Sequence, residues 1–181
     1  GSNVVTAADC PRLFAPGRTL LGQEQERWLF DGLAGSGARW NVIAQQTLMA
    51  QVDRTPGEGQ SFWTDGWDGY PEARRRLLGF IAGKRVANPV VIGGDVHMWV
   101  VADLKAGFED PKAPVVATEF TGTSITSQGL SQKQLESWRE DNPHIQYANS
   151  TRRGYTTLEL TANRGIARLR TVNEKDPASP V

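Results

Sequence analysis

The segment from residue 89 to residue 97 constrains the fold of this chain more than any other part of the sequence. It reads Pro-Val-Val-Ile-Gly-Gly-Asp-Val-His, an apolar run that ends in two glycines and is followed by a carboxylate and an imidazole. A short apolar run bounded by turn formers is typical of a buried strand, and the glycines let the backbone pass close to another group. If the backbone stays extended, Asp95 and His97 point to the same side. The segment therefore predicts a strand end that presents two ligands to one cation.

Two interpretations of this pair remain open. Carboxylate and neutral imidazole suit a hard divalent or trivalent cation, but a hydrogen-bonded pair inside the core explains Asp95 and His97 equally well. A catalytic metal needs at least three protein ligands, so these two residues do not complete a site. The other histidine, His144, follows a proline, and a structural role explains it better than a role as ligand or proton donor.

Composition restricts the class of protein. With 181 residues, of which 39% are hydrophobic and 22% charged, the chain can form one domain or a large piece of one. Its 20 basic and 20 acidic residues cancel, so neither nucleic acid nor an anionic membrane is an expected partner. The single cysteine, Cys10, excludes an internal disulfide and a four-cysteine zinc site. The longest apolar runs are strand-sized, which predicts no membrane span.

Hydrophobic periodicity predicts an alternation of helices and strands that ends in antiparallel strands. Helices are predicted at residues 22–33, 71–82 and 131–140. Strands are predicted at residues 39–46, 89–94, 98–104, 115–121, 145–148, 155–160 and 166–172, with a hairpin turn at 163–165. This order favours an α/β layered sheet with helices on one face, in a single domain without internal repeats.

The segment 52–70 is too aromatic for an inert linker and too rich in turn formers for a regular element, with four glycines, one proline, two tryptophans and Tyr70. Ordered loops of this length often line functional sites. Asp65, Asp68 and Tyr70 are therefore candidates for lining a substrate cleft. An Asp-Gly-Tyr-Pro string is also an ordinary turn into a helix, and this interpretation is favoured.

Buried polar residues are predicted to be structural. Glu119 lies inside the apolar strand 115–121, where an unpaired carboxylate would be costly. It is expected to have a partner such as an arginine, and Arg153 is one candidate. Gln45 and Gln46 close the strand 39–46 and are expected to be structural. The six tryptophans are scattered along the chain, which favours core packing over a stacking platform.

The two ends of the chain are predicted to lie outside the folded part. Residues 1–3 read Gly-Ser-Asn, which resembles the remnant of a removed tag. Residues 1–19 are therefore expected to be this remnant and a linker, and residues 174–181 a disordered tail. Residues 20–173 would form the folded unit.

Seven blocks of sequence, in the same order, resemble those of the PhoD-like alkaline phosphatases. The strings Gly-Asp-Val-His and Ala-Thr-Glu-Phe-Thr-Gly-Thr-Ser-Ile, each in a predicted strand, are hard to obtain together by accident. The blocks are residues 20–25 followed by Trp28 and Leu29, then 41–46, 68–71, 94–97, 117–125, 142–144 and 153–155.

The resemblance implies a phosphomonoesterase or phosphodiesterase of the metallophosphatase superfamily, with calcium and iron as cofactors and a phosphate ester as substrate. It implies a four-layer sandwich of two sheets flanked by helices, of which residues 20–173 would be the C-terminal half. Asp95 and His97 would be metal ligands from that half. The remaining ligands would lie in an N-terminal half, and Cys10 matches no part of the iron-binding motif. A periplasmic or secreted location is implied in the same way.

Two hypotheses for the function follow. In the first, the chain is a fragment of a secreted or periplasmic phosphatase and is inactive alone, because two ligands cannot hold the metal cluster. In the second, it is a non-catalytic module derived from this fold that binds a partner or ligand. Half of a sandwich would expose an apolar sheet face, so self-association is expected.

Overall fold

The structure is a computed structural model that describes residues 3–172. Its strands are β1 Val4–Thr6, β2 Asn41–Ala44, β3 Ser61–Trp63, β4 Pro89–Gly93, β5 Trp99–Lys105, β6 Val115–Thr121, β7 Ile145–Asn149, β8 Arg153–Leu160 and β9 Gly165–Val172. Its helices are α1 Gln23–Ala34, α2 Pro71–Lys84 and α3 Gln132–Ser137, with 3-10 turns at Pro11–Phe14 and Trp67–Gly69. The predicted tail at 174–181 lies outside the described residues.

A five-stranded mixed sheet forms the centre of the molecule, in the order β2-β4-β6-β5-β7. β2, β4 and β6 run parallel, whereas β5 is antiparallel to both of its neighbours. Parallel neighbours need a crossover connection, and α2 lies in the connection between β2 and β4. β8 and β9 form a separate hairpin, at the place where the sequence predicts one. The α/β layered class predicted from the sequence is the class observed.

The helices cover one face of the sheet. The row Ile43, Val91, Glu119 and Ala102 runs across β2, β4, β6 and β5, and all four residues are buried. The apolar members of this row pack in one cluster with Leu77, Leu78 and Ile81 of α2, Leu33 of α1 and Leu135 of α3. Burying an apolar helix stripe against a sheet is the standard way to form such a core.

The opposite face of the sheet is less covered. The neighbouring row contains Ala44, Ile92, Phe120, Val101 and Tyr147. None of these side chains is fully buried, and Tyr147 is 44% exposed. An apolar face of this kind agrees with the expectation of half a sandwich, while the self-association predicted from it stays a prediction.

The N-terminal segment differs from the linker that the sequence predicts for residues 1–19. β1 pairs with β3, which lies in the 52–70 loop, and Leu13 in the following 3-10 turn is only 2% exposed. Strands of three residues are too short to show a period-two pattern, so the sequence carried no clear signal for them. The prediction of a bare linker is therefore wrong for residues 4–14.

Residues 48–53, which we call the inner loop, have no regular secondary structure, yet five of the six are buried. A buried loop must find partners for its backbone groups inside the protein. Glu119 in β6 accepts hydrogen bonds from the backbone amides of Met49 and Ala50, both at 2.7 Å. The inner loop is thus attached to the centre of the sheet by one carboxylate.

Four further side chains complete the support of the inner loop. Arg74 donates to the carbonyl oxygen of Met49 at 3.1 Å, and Asp68 accepts from the amide of Val52 at 3.0 Å. Asn142 accepts from the amide of Asp53 and donates to its carbonyl oxygen, both at 2.8 Å. His144 Nε2 lies 2.8 Å from the carbonyl oxygen of Gln51. Polar side chains from separate parts of the chain thereby replace the missing secondary structure.

The partner predicted for Glu119 is corrected by this arrangement. Backbone amides, and not the guanidinium of Arg153, bind the carboxylate; Arg153 donates to the carbonyl oxygens of Ser150 and Arg152. Burial raises the pKa of Glu119 to about 7, although the two amides and the nearby charge of Arg74 oppose the shift.

We expect the Glu119→Gln variant to be less stable than the wild type by about 1–3 kcal/mol, because an amide nitrogen cannot accept a hydrogen bond from Met49 or Ala50. Since the pKa of Glu119 is raised in the folded state, from 4.5 to about 7, its proton stabilises the fold at low pH. This contribution is lost as the pH rises through about 7. Urea unfolding at several pH values measures both effects.

Glu159→Gln is the matched control for this experiment, because Glu159 is 51% exposed and forms a surface ion pair with Arg168. Its free energy of unfolding should stay within about 0.5 kcal/mol of the wild type. An unchanged stability and an unchanged pH profile in Glu119→Gln would contradict the role assigned to Glu119.

Candidate metal centre

Asp95 and His97 lie in the bend between β4 and β5. β4 ends at Gly93, two residues before Asp95. Both residues have left-handed backbone angles, with φ of 70° at Asp95 and 56° at His97. The prediction that they project to one side of an extended strand is therefore wrong, because the chain has already left the strand.

The end of β4 is closely enclosed by the turn that follows β2. A Cβ atom at Gly93 would lie 2.3 Å from the carbonyl oxygen of Thr47 and 2.6 Å from Nε2 of Gln45. The amide of Gly94 donates to the carbonyl oxygen of Gln46 at 3.1 Å, and the amide of Gly122 donates to that of Gly93 at 2.9 Å. Only glycine fits at position 93, so the first glycine of the motif has a steric explanation.

Gln45 makes this turn rigid. Its Oε1 accepts from the indole N–H of Trp67 at 3.0 Å and from the amide of Thr47 at 3.1 Å, while its Nε2 donates to the carbonyl oxygen of Thr47. These contacts agree with the structural role predicted for Gln45. This turn, which borders the candidate metal centre, is consequently fixed to the 52–70 loop through Trp67.

The ring of His97 is oriented by a backbone carbonyl. Nδ1 lies 3.0 Å from the carbonyl oxygen of Gln128, and since a carbonyl can only accept, this contact assigns the hydrogen to Nδ1. The neutral ring then carries its lone pair on Nε2. His97 is exposed. A histidine that donates one ring N–H to a carbonyl and offers its other nitrogen has the usual arrangement of a metal ligand.

Asp95 is exposed, and within residues 3–172 its carboxylate makes no hydrogen bond. This exposure argues against the alternative of a hydrogen-bonded core pair with His97. Asp95 and His97 are nevertheless only two ligands. In the described part of the chain, no group of three or more His, Cys, Asp or Glu side chains could hold a metal ion.

His144 lies away from this centre. The amide of Asp103, late in β5, donates to its carbonyl oxygen at 2.9 Å, whereas His97 precedes the start of the same strand. His144 is buried, and its ring lies 4.6 Å from that of Phe108. Burial lowers the pKa of His144, which favours the neutral ring. This placement agrees with a structural histidine and not with a cleft-lining residue.

The other cleft candidates divide into two groups. Asp68 is buried and forms an ion pair with Arg74 at 2.5 Å; burial raises the pKa of Asp68, and the Arg74 charge opposes the shift. Tyr70 is half-buried beneath the guanidinium of Arg18, at 4.6 Å. Both residues belong to the turn that leads into α2, which agrees with the favoured interpretation. Asp65 alone remains exposed.

Two contributors near His97 were missed by sequence reasoning. One is the backbone carbonyl of Gln128, which no side-chain pattern can indicate. The other is Gly129, where a Cβ atom would lie 2.5 Å from the carbonyl oxygen of His97. The sequence offered only one weak signal of this close approach, a glycine next to a polar loop.

Among residues 3–172, no helix is long and apolar enough to cross a membrane.

Known proteins resemble this chain in both sequence and structure. The model of the PhoD-like phosphatase family matches residues 2–169. Alkaline phosphatase D of Bacillus subtilis (strain 168) is 42% identical over 149 residues, which make up 81% of this chain and 25% of that protein. A solved structure described as "Structure of PhoD" superposes with a TM-score of 0.87 at 37% identity, over 97% of this chain and 34% of the other.

The chain thus spans about a quarter of the curated relative and about a third of the solved chain. The structural match confirms the metallophosphatase-like fold that the seven blocks predict. With a family model that covers nearly its whole length, the chain belongs to the PhoD-like phosphatase family.

Proposed function

We propose that this chain is part of a metal-dependent phosphatase that hydrolyses phosphate esters, and that it contributes Asp95 and His97 as metal ligands. The observation that carries the proposal is the hydrogen bond between His97 Nδ1 and the carbonyl oxygen of Gln128, which leaves Nε2 available two residues from a carboxylate that makes no hydrogen bond within residues 3–172. Family membership supports phosphoric ester hydrolysis by the longer protein. Export to the periplasm or the cell exterior belongs to the same proposal.

The donor set fits a metal in part. A carboxylate oxygen suits calcium and an imidazole nitrogen suits iron, the two metals that the family resemblance implies. A catalytic metal needs at least three protein ligands, and no further cluster exists within residues 3–172. The missing ligands must therefore come from other parts of the longer protein. For the same reason we propose that the isolated chain is inactive.

When bound, the metal supplies two kinds of chemistry: it polarises the phosphoryl oxygens and lowers the pKa of a coordinated water. The residues of this chain orient the ligands. The carbonyl oxygen of Gln128 fixes the His97 ring. Gly129 allows its loop to approach the His97 backbone, and Gly93 allows the end of β4 to pack against the turn at Thr47.

The backbone at the centre is strained. Left-handed angles at non-glycine residues cost on the order of 1 kcal/mol each, and they concentrate at functional sites. Asp95 and His97 both have such angles, and the enclosed neighbours hold them in place. Arg85 and Asn88, between α2 and β4, also have left-handed angles, so the angles define the shape of the bend and do not by themselves assign it a function.

In the full-length protein, His97→Ala and Asp95→Asn should each lower the phosphatase rate by at least about 100-fold and reduce the bound metal, because each removes a ligand. The free energy of unfolding should change little, because both side chains are exposed. Steady-state kinetics, metal analysis and thermal unfolding measure these quantities.

Asp31→Asn provides the control, because Asp31 is an exposed carboxylate in α1. It should leave both the rate and the metal content unchanged. Wild-type metal content and rate in His97→Ala would disprove the assignment.

The positioning of His97 can be tested with two glycine substitutions. In Gly129→Ala the new Cβ would lie 2.5 Å from the His97 carbonyl oxygen, whereas in Gly122→Ala it would lie 3.7 Å from that of Gly93, an ordinary contact. We expect Gly129→Ala to weaken metal binding by the full-length protein about 10- to 100-fold. Gly122→Ala should bind as the wild type does, and equal affinities for all three proteins would show that this loop does not position His97.

A further inference from the structure

Arg54 is a half-buried arginine in the 52–70 loop, and within residues 3–172 it forms no ion pair. Its guanidinium carbon lies 5.4 Å from the ring centroid of Trp63 and 5.3 Å from that of Trp138. Contacts of this kind attract a cation to the ring faces and restrict the plane of the guanidinium. Two aromatic side chains therefore hold Arg54 in one place.

The donors of this guanidinium are unused. An arginine side chain carries five N–H donors, and within residues 3–172 those of Arg54 donate no hydrogen bond. Its Nε is fully buried and has no partner among the described residues. Arg74 shows the opposite arrangement, since it donates to Asp68, Met49 and Gln51.

The carboxylate of Asp68 is near Arg54 but forms no hydrogen bond with it. Asp68 acts on it electrostatically, but the two oxygens of Asp68 already accept from Arg74 and from the amide of Val52. Burial lowers the pKa of Arg54, yet an arginine remains charged at neutral pH. A fixed, charged and unpaired guanidinium is suited to an external anion.

Arg54 is also connected to the candidate metal centre. It lines a small cavity together with Trp63, Val96 and Asp68, whose carboxylate is already bound by Arg74 and Val52. Val96 is the residue between the two candidate ligands. The cavity volume of about 10 Å³ accommodates roughly one water molecule. An anion larger than water must therefore approach the exposed part of the guanidinium.

We propose that Arg54 binds the oxygen atoms of a phosphate group next to the bend that contains Asp95 and His97. The planar fork of a guanidinium matches two oxygens of a phosphate, which makes arginine the usual residue for this ligand. The inference extends the proposed function, because it names the residue of this chain that contacts the phosphate ester itself.

The test is a titration of the 181-residue chain with inorganic phosphate in EDTA, at neutral pH and constant ionic strength. Tryptophan fluorescence is the readout, because Trp63 and Trp138 contact Arg54. We expect a saturable change in the wild type, and in Arg54→Gln an affinity weaker by about tenfold, as for the loss of a charged hydrogen-bond donor. Arg54→Lys should be intermediate, because it keeps the charge and loses the fork.

Arg139→Gln is the matched control, because Arg139 is an exposed arginine that follows Trp138 directly. Its phosphate affinity should stay within about twofold of the wild type. Circular dichroism shows whether each variant is folded. If Arg54→Gln does not fold, the phosphate affinity of Arg54→Lys tests the inference.

Two results would overturn the inference: no saturable binding by the wild type below about 10 mM phosphate, or wild-type affinity in the Arg54 variants. EDTA separates this test from metal binding. If phosphate binding depends on Arg54 while Asp95 and His97 prove irrelevant to metal content, the proposed function fails and the phosphate site stands. If Asp95 and His97 are needed for metal content while phosphate binding does not depend on Arg54, only the role of Arg54 is disproved.

Discussion

The carboxylate of Glu119 links the central sheet to the inner loop. It reaches from the central strand β6 to the amides of Met49 and Ala50, and so fixes the inner loop where no ladder of backbone hydrogen bonds can. The turn formed by Gln45 and Thr47 comes immediately before this loop. Because that turn encloses Gly93, the position of the bend after β4 depends on a side chain in the neighbouring strand.

The charges beneath this loop form a connected group. Arg74 contacts Asp68 and the Met49 carbonyl, and its charge also acts on Glu119. Burial is the main cause of the pKa of about 7 for Glu119, and the charge of Arg74 opposes it. Networks of this kind contribute little net stability, but they penalise any packing that leaves a member unpaired. The network therefore specifies one arrangement of a segment that has no periodic pattern.

Much of the fold was predictable from the sequence, because its longer elements have strong periodicity. β6 has the predicted bounds, and α1 and α2 differ from prediction by one or two residues. The pairing of β1 with β3 was not predictable, since three residues show no alternation. Trp67, Trp99 and Trp138 are buried as expected, whereas Trp28 is 70% exposed on α1, and nothing in the sequence distinguished it from the others.

For the candidate centre, the sequence identified Asp95 and His97 but not their geometry. A left-handed backbone is uncommon at residues other than glycine, so an extended strand was the natural assumption. The partners of Glu119 and of His97 are backbone groups, which pattern reading cannot detect. Sequence reasoning thus identified the candidate side chains and missed the main-chain atoms that Glu119 and His97 contact.

The left-handed backbone at Asp95 and His97 also bears on how such a chain can evolve. Glycine adopts these angles without steric penalty, so folding alone would favour glycine at both places. Asp95→Gly and His97→Gly would each relieve a left-handed backbone at the bend, and each would remove a side chain that the proposed metal site needs.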